Sequence, residues 1–236
     1  MSCMPFRQRS LDRLVRVFTA VKFAVQSLRN QYGALTPDTS TSISASPSRL
    51  LPSPMPLDEA SQVIVKAVRF ISQPNQHYFV YRGSYNDKDV LIKFCDKYCE
   101  DAHKLLASQD PPLAPRLHFC EQISGGSVMV VMDYIETLEV EEQGSLRSTI
   151  RQAVSKAKDL LHSRGLVHGD LRIPNILVDR YTHRVMLCDF DWAGREGEAR
   201  YPYGLNPSIA WPVSPADGLL IKREYDDIMF ESLLPP

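Results

Sequence analysis

With 236 residues, 44% hydrophobic and 23% charged, the chain has the make-up of one ordinary globular domain plus a tail. Its 27 basic residues face 28 acidic ones, a formal charge of −1, which excludes a polycation that grips nucleic acid by counterion release. Five scattered cysteines (Cys3, Cys95, Cys99, Cys120, Cys188) argue against a disulfide framework, and the apolar run Leu14–Val25 is broken by Arg16 and Lys22, short of the roughly 20 residues of a membrane span.

Residues 1–35 carry Arg7, Arg9, Arg13, Arg16, Lys22 and Arg29 against the single acid Asp12. Leu11, Leu14, Val15, Phe18, Val21, Val25 and Leu28 recur at helical steps, so this stretch reads as a basic amphipathic helix. A leader, including a mitochondrial address, or a helix packed on the main domain are its principal readings; membrane contact is the minor one. Residues 36–57, rich in Ser, Thr and Pro, read as a linker too polar to offset its chain entropy.

From Asp58, a plausible N-cap, Val63, Ile64, Ala67, Val68 and Ile71 predict a helix. Strands follow over 77–82 and 89–95, around the turn-rich GSYND. A helix over 98–108 precedes a strand pair over 116–121 and 127–134. The face Leu146, Ile150, Val154, Ala157 and Leu161 predicts a long helix over 145–163. Short strands over 176–178 and 185–188 complete an α+β pattern with strands first and helices later.

The chemistry concentrates in HGDLRIPNILV, residues 168–178, and in LCDF, residues 187–190. Asp170 and Asn175 lie five apart on one loop, and Asp189 follows a short hairpin. That order suits phosphoryl transfer, with Asp170 as the base for an acceptor hydroxyl and Asn175 and Asp189 sharing Mg²⁺ beside a triphosphate.

These segments, with IKFCDKYCEDAHKLLA and LAPRLHFC upstream, resemble the protein-kinase-like superfamily over most of residues 75–230, in particular the short kinase-domain proteins numerous in fungi. The family loop H-R-D-L-x-x-x-N stands here as HGDLRIPN, whose glycine is the form of aminoglycoside and choline phosphotransferases. The resemblance implies a two-lobed α+β fold, with a reduced N-lobe over 58–133 and a shortened C-lobe over 134–236. VLIK, residues 90–93, makes Lys93 the candidate for the α/β-phosphates of ATP, and Glu100 or Asp101 on the next helix the candidate partner of its charge. VVMDYIE puts Asp133, Tyr134 and Ile135 at the adenine edge, through backbone groups. Arg172 stands where serine/threonine kinases carry lysine, suited to neutralise the transferring phosphoryl group.

The departures from the family pattern carry information too. Gly83 is the only glycine between Asp58 and Lys93, so no glycine-rich phosphate loop is present. DFG becomes Asp189-Phe190-Asp191, which adds a carboxylate near the metal. Gly169 replaces the arginine that would grip an activation-loop phosphate. Trp192–Pro212 reads as a fixed aromatic shelf, and Asp226 or Asp227 as the acid that orients the catalytic loop. Cys95, Cys99 and His103 read as core residues and not as zinc ligands, and His162 and His183 as surface residues. The expected activity is transfer from Mg-ATP to a hydroxyl of a protein, with a small-molecule acceptor as runner-up and a pseudokinase binding module as the rival class. The expected setting is intracellular, cytoplasmic or nuclear, without nucleic-acid partners.

Overall fold

The computed structural model describes residues 18–19, 21–22, 25–26, 66–70, 79–123, 126–138, 145–212 and 217–233. The chain divides into one unit over Met1–Ala45, whose described residues are helical, and another over Ser46–Pro236, to which everything below refers. The linker expected over 36–57 and the residues immediately after Asp58 lie outside the described residues. Among the described residues no helix is long and apolar enough to cross a membrane.

Five antiparallel strands form one sheet: β1 (Lys66–Phe70), β2 (Phe79–Tyr85), β3 (Lys88–Cys95), β4 (Leu117–Gln122) and β5 (Val128–Asp133), in the spatial order β1-β2-β3-β5-β4. The β2–β3 hairpin is tighter than the expected five-residue turn. Its two central residues, Asn86 and Asp87, both take positive φ (49° and 59°), the backbone that matches the twist of paired strands. Alternation along β3 sorts its side chains by face. Val90, Ile92 and Phe94 pack with Tyr81, Phe119 and Val131 on one side, whereas Leu91 and Cys95 join Val130 and Met132 on the other. Lys93 therefore emerges on the second face.

One expectation is overturned. Residues 66–70 form a strand in place of the helix predicted from Asp58. The spacing of Ala67, Val68 and Ile71 fits a helical stripe, but the outer edge of β2 offers backbone partners from Ser84 to Tyr81, and Lys66–Phe70 takes them with one irregularity between Ala67 and Arg69. Satisfying a sheet edge outweighs a weak helical period.

The remainder is mostly helix and short hairpins. Helix α1 (Glu100–Ala107) buries Ala102, His103 and Leu106, and helix α2 (Arg147–Ser163) buries the expected Ile150, Val154, Ala157 and Leu161. Helix α3 (Arg223–Leu233) packs Met229 and Phe230 into the same core and is tied to α2 by Lys158–Asp227 (2.6 Å) and Arg151–Glu231 (2.5 Å). Strand β6 (Leu166–Val167) pairs with β9 (Gly194–Arg195), and β7 (Ile176–Val178) with β8 (Val185–Leu187). The expected α+β fold is the observed one.

His103 fastens α1 to this core. Its Nε2–H donates to the Pro115 carbonyl (2.7 Å), its Nδ1 accepts from the Tyr98 hydroxyl (2.7 Å), and its ring stacks on Phe190 at 4.8 Å between centroids. Full burial in this setting pushes the imidazole pKa down to about 4. The folded chain thus refuses a proton that the unfolded chain accepts below about pH 6.5. The stability this site contributes is complete above that pH and is lost as pH falls toward 4, a change of about 3 kcal/mol. Denaturant midpoints measured from pH 7 to pH 4 should fall more steeply for the wild type than for His103→Gln.

Candidate active site

Lys93 projects from β3 into a pocket of opposite charge. Its side chain is 6% exposed, and its Nζ lies 2.7 Å from Asp189 Oδ1 and 2.7 Å from Asp191 Oδ2. Burial alone would lower the pKa of the ammonium, but the two carboxylates outweigh it and hold the group above its ordinary value. Burial pushes Asp191 up, to about 6, helped by the like charge of Asp189; on Asp189 the same burial is overcome by Lys93, which holds it below the usual carboxylate range. Asp189 also sits at φ +64°, a left-handed backbone uncommon outside glycine, of the kind functional sites tolerate when neighbours enforce it.

The carboxylates shown at Lys93 are thus not the expected ones. Glu100 pairs with Lys104 one helical turn on (2.7 Å), and Asp101 is exposed. The cause lies at the start of α1, where the Cys99 amide donates to the Phe190 carbonyl (3.0 Å). That bond draws the Asp189–Asp191 segment, and not the first turn of α1, against the lysine. Phe190 itself is fully buried among Tyr98, His103 and His168, so the two aspartates are held on either side of an anchored ring.

The loop from His168 to Asn175 is anchored by Asp226 of α3. Its buried carboxylate accepts from the amides of His168 (2.8 Å) and Gly169 (2.8 Å) and from His162 Nε2 (3.1 Å). Of the two candidates for this role, Asp226 is the one; Asp227 turns to Lys158. His162 is correspondingly a largely covered partner, its side chain 12% exposed, and not the surface residue expected from its place near a helix end. Gly169 has φ +82°, and a Cβ there would stand 2.8 Å from Ile221 Cδ1, so the glycine of HGD is required by backbone and by space. His168 Nε2–H donates to the Cys188 carbonyl (3.2 Å), leaving Nδ1 to accept from the Asp170 amide (3.3 Å).

Asp170 and Asn175 meet directly: Asn175 Nδ2 donates to the Asp170 carboxylate (2.8 Å) and to its carbonyl (2.9 Å). The Cys188 amide donates to the Asn175 carbonyl (3.0 Å), which sets Asn175 beside the residue preceding Asp189. The Lys93–Asp189 pair and the Asn175–Asp170 pair are thus linked through the backbone bond between Cys188 and Asn175. Arg172 is placed differently from the expectation. Its guanidinium forks onto both oxygens of Asp170 and lies over the Trp211 ring at 5.2 Å, so here it covers the candidate base. A planar fork two residues from a carboxylate on the same loop has a bidentate partner within reach.

At the expected adenine edge, the amides of Asp133 and Tyr134 are committed to the carbonyls of Arg116 (2.9 Å) and Asp89 (3.1 Å), while the Asp133 carboxylate holds His118 Nε2. Neither amide is available to a base; among the described residues the Ile135 amide carries no such bond. A separate hollow of about 400 Å³ lies against the side chains of Arg116, Asp133, Ile135 and Arg184, and contains none of the four convergent residues. Beyond Phe190, Trp192, Tyr201 and Trp211 pack edge-on or tilted against one another and Tyr201 stacks on Tyr225, so the expected aromatic segment forms one cluster of rings. Burial raises the thiols of Cys188 and Cys120 to about 12, so both remain protonated and act as small apolar fillers.

The donor set fits a magnesium ion. Asp189 is a half-buried carboxylate held below its usual range by Lys93, and the Asn175 amide, with its nitrogen turned to Asp170, keeps a hard oxygen on its other side. Nucleotide phosphates would complete such a site, because Mg²⁺ commonly takes only one or two protein ligands.

No protein-family model matches the chain. The Dictyostelium discoideum "Kinase and exchange factor for Rac A" is 32% identical over 135 residues, 48% of this chain and 10% of that protein. "Serine/threonine-protein kinase 1" of Orgyia pseudotsugata multicapsid polyhedrosis virus is 31% identical over 107 residues, 41% of this chain and 37% of that protein. The chain thus spans between about a tenth and about a third of the length of these relatives. Among solved structures, the Cydia pomonella granulovirus kinase aligns with a TM-score of 0.48 at 18% identity, covering 58% of this chain and 57% of that one. In sequence, then, this chain is similar to protein kinases.

Proposed function

We propose that the chain is an ATP- and Mg²⁺-dependent phosphotransferase that moves the γ-phosphoryl group to a hydroxyl. One observation supports the reading: a buried lysine from the sheet pairs with Asp189, whose neighbour Cys188 is bonded to Asn175, which in turn holds Asp170. Lys93 would hold the α/β-phosphates, and Asn175 and Asp189 would hold the metal, which when bound neutralises charge on the β- and γ-oxygens. Asp170 would accept a hydrogen bond from the incoming hydroxyl and orient its oxygen toward phosphorus. For that to happen Arg172 must release Asp170, and the nearest use for its charge is the phosphoryl group in transfer.

Two features bear on the acceptor. Relatives named as serine/threonine-protein kinases favour a protein hydroxyl. The HGD loop, which resembles that of small-molecule phosphotransferases, keeps a small acceptor open; the required Gly169 explains that form by packing alone. The rival class, a nucleotide-binding module without turnover, draws its support from the Arg172–Asp170 ion pair, which occupies the base in the resting chain.

Radiolabelled transfer from γ-labelled ATP and calorimetric nucleotide binding separate these readings. Asp170→Ala should lower transfer by about 10²-fold or more while leaving Mg-ATP affinity nearly unchanged. Lys93→Met should weaken Mg-ATP binding by about tenfold or more. Nucleotide binding by a wild type with no transfer to protein or small-molecule acceptors would favour the binding module, and no nucleotide binding at all would refute the proposal.

A further inference from the structure

A lysine that anchors phosphates needs a carboxylate that stays with it, and Lys93 has two within 2.7 Å of its Nζ. In the proposed site Asp189 is committed to the cation. Asp191 is then the carboxylate that still contacts an ammonium only 6% exposed, where a counter-charge at contact distance is worth most. Glu100, the alternative on α1, is 39% exposed and engaged by Lys104 at 2.7 Å.

Asp191 has the attributes of the lasting partner. It is 13% exposed, its Oδ2 contacts Lys93, and its Oδ1 is buried with no hydrogen-bond partner. A buried carboxylate oxygen left without a donor is a penalty that a purely structural residue would shed by mutation to something apolar. Residues 189 and 191 reach the same ammonium because Phe190 between them is fixed in the core.

We infer that Asp191 is the positioning residue for Lys93, the carboxylate that keeps the ammonium aimed at the nucleotide phosphates while Asp189 serves the metal. This rests on the phosphotransferase reading above. It assigns to the third residue of the Asp-Phe-Asp segment the work that a helix carboxylate does in protein kinases. It also gives the departure from glycine at this position a purpose. Phosphate anchoring and metal binding then come from one short stretch of chain, locked by one aromatic ring.

The test uses the full chain, with Mg-ATP binding measured by calorimetry and adenosine binding by competition, and with thermal unfolding as a check on the fold. Adenosine lacks phosphates, so a residue acting through Lys93 should not affect it. Asp191→Asn should lose about tenfold or more in Mg-ATP affinity while adenosine affinity stays within about twofold. Asp191→Glu, which retains the charge, should recover most of that loss, and Glu100→Gln should bind like the wild type. The inference is overturned if Asp191→Asn binds Mg-ATP normally, if Glu100→Gln carries the loss, or if the folded Asp191 variants lose ATP and adenosine affinity equally. A wild type that binds no nucleotide overturns the phosphotransferase reading itself, a result distinct from any of these.

Discussion

A buried ammonium held by two carboxylates is the constraint on which the site depends. Lys93 and Asp189 are 96 residues apart in the chain, and the ion pair between them joins the sheet to the segment that follows β8. Removing a lysine from water is costly, and only anions at contact distance offset that cost. The pairing therefore fixes where the Asp-Phe-Asp segment lies, and with it the left-handed turn at Asp189. The cluster carries one positive and two negative charges, a net negative balance that favours a divalent cation.

The second support is a single buried carboxylate. Asp226 satisfies the two amides that open the catalytic loop, and Gly169 lets the chain turn there against Ile221. The loop thus reaches Asp170 and Asn175 with its backbone already satisfied, so its side chains are oriented before any ligand arrives. Arg172 is the one element of this loop whose resting position opposes the proposed chemistry, since it covers the carboxylate that the acceptor hydroxyl needs. Its cation–π contact with Trp211 ties that position to the aromatic shelf.

Much of this was legible in the residues alone. The family likeness of VLIK singled out Lys93, and the 3.6-residue stripe of α2 located its buried side. The spacing of Asp170, Asn175 and Asp189 predicted one loop followed by a hairpin, which is how those residues lie, because they are local to one supersecondary unit. What was misread depended on long-range pairing. The stretch ending in KAVRF satisfies a helical period, and only the free edge of β2, invisible in a one-dimensional pattern, makes it a strand. Asp191 was visible as an added carboxylate, but its partnership with Lys93 requires the Cys99–Phe190 hydrogen bond that draws its segment inward. Likewise, the burial of His162 follows from where α3 docks and not from its own neighbours.

The most direct measurement locates the cation itself. Crystals grown with Mn²⁺ and a non-hydrolysable ATP analogue should give an anomalous peak between the side chains of Asn175 and Asp189, in contact with the β- and γ-phosphates, with Lys93 Nζ on the neighbouring phosphate oxygens. A bound analogue whose phosphates and metal lie away from these three residues would contradict the account.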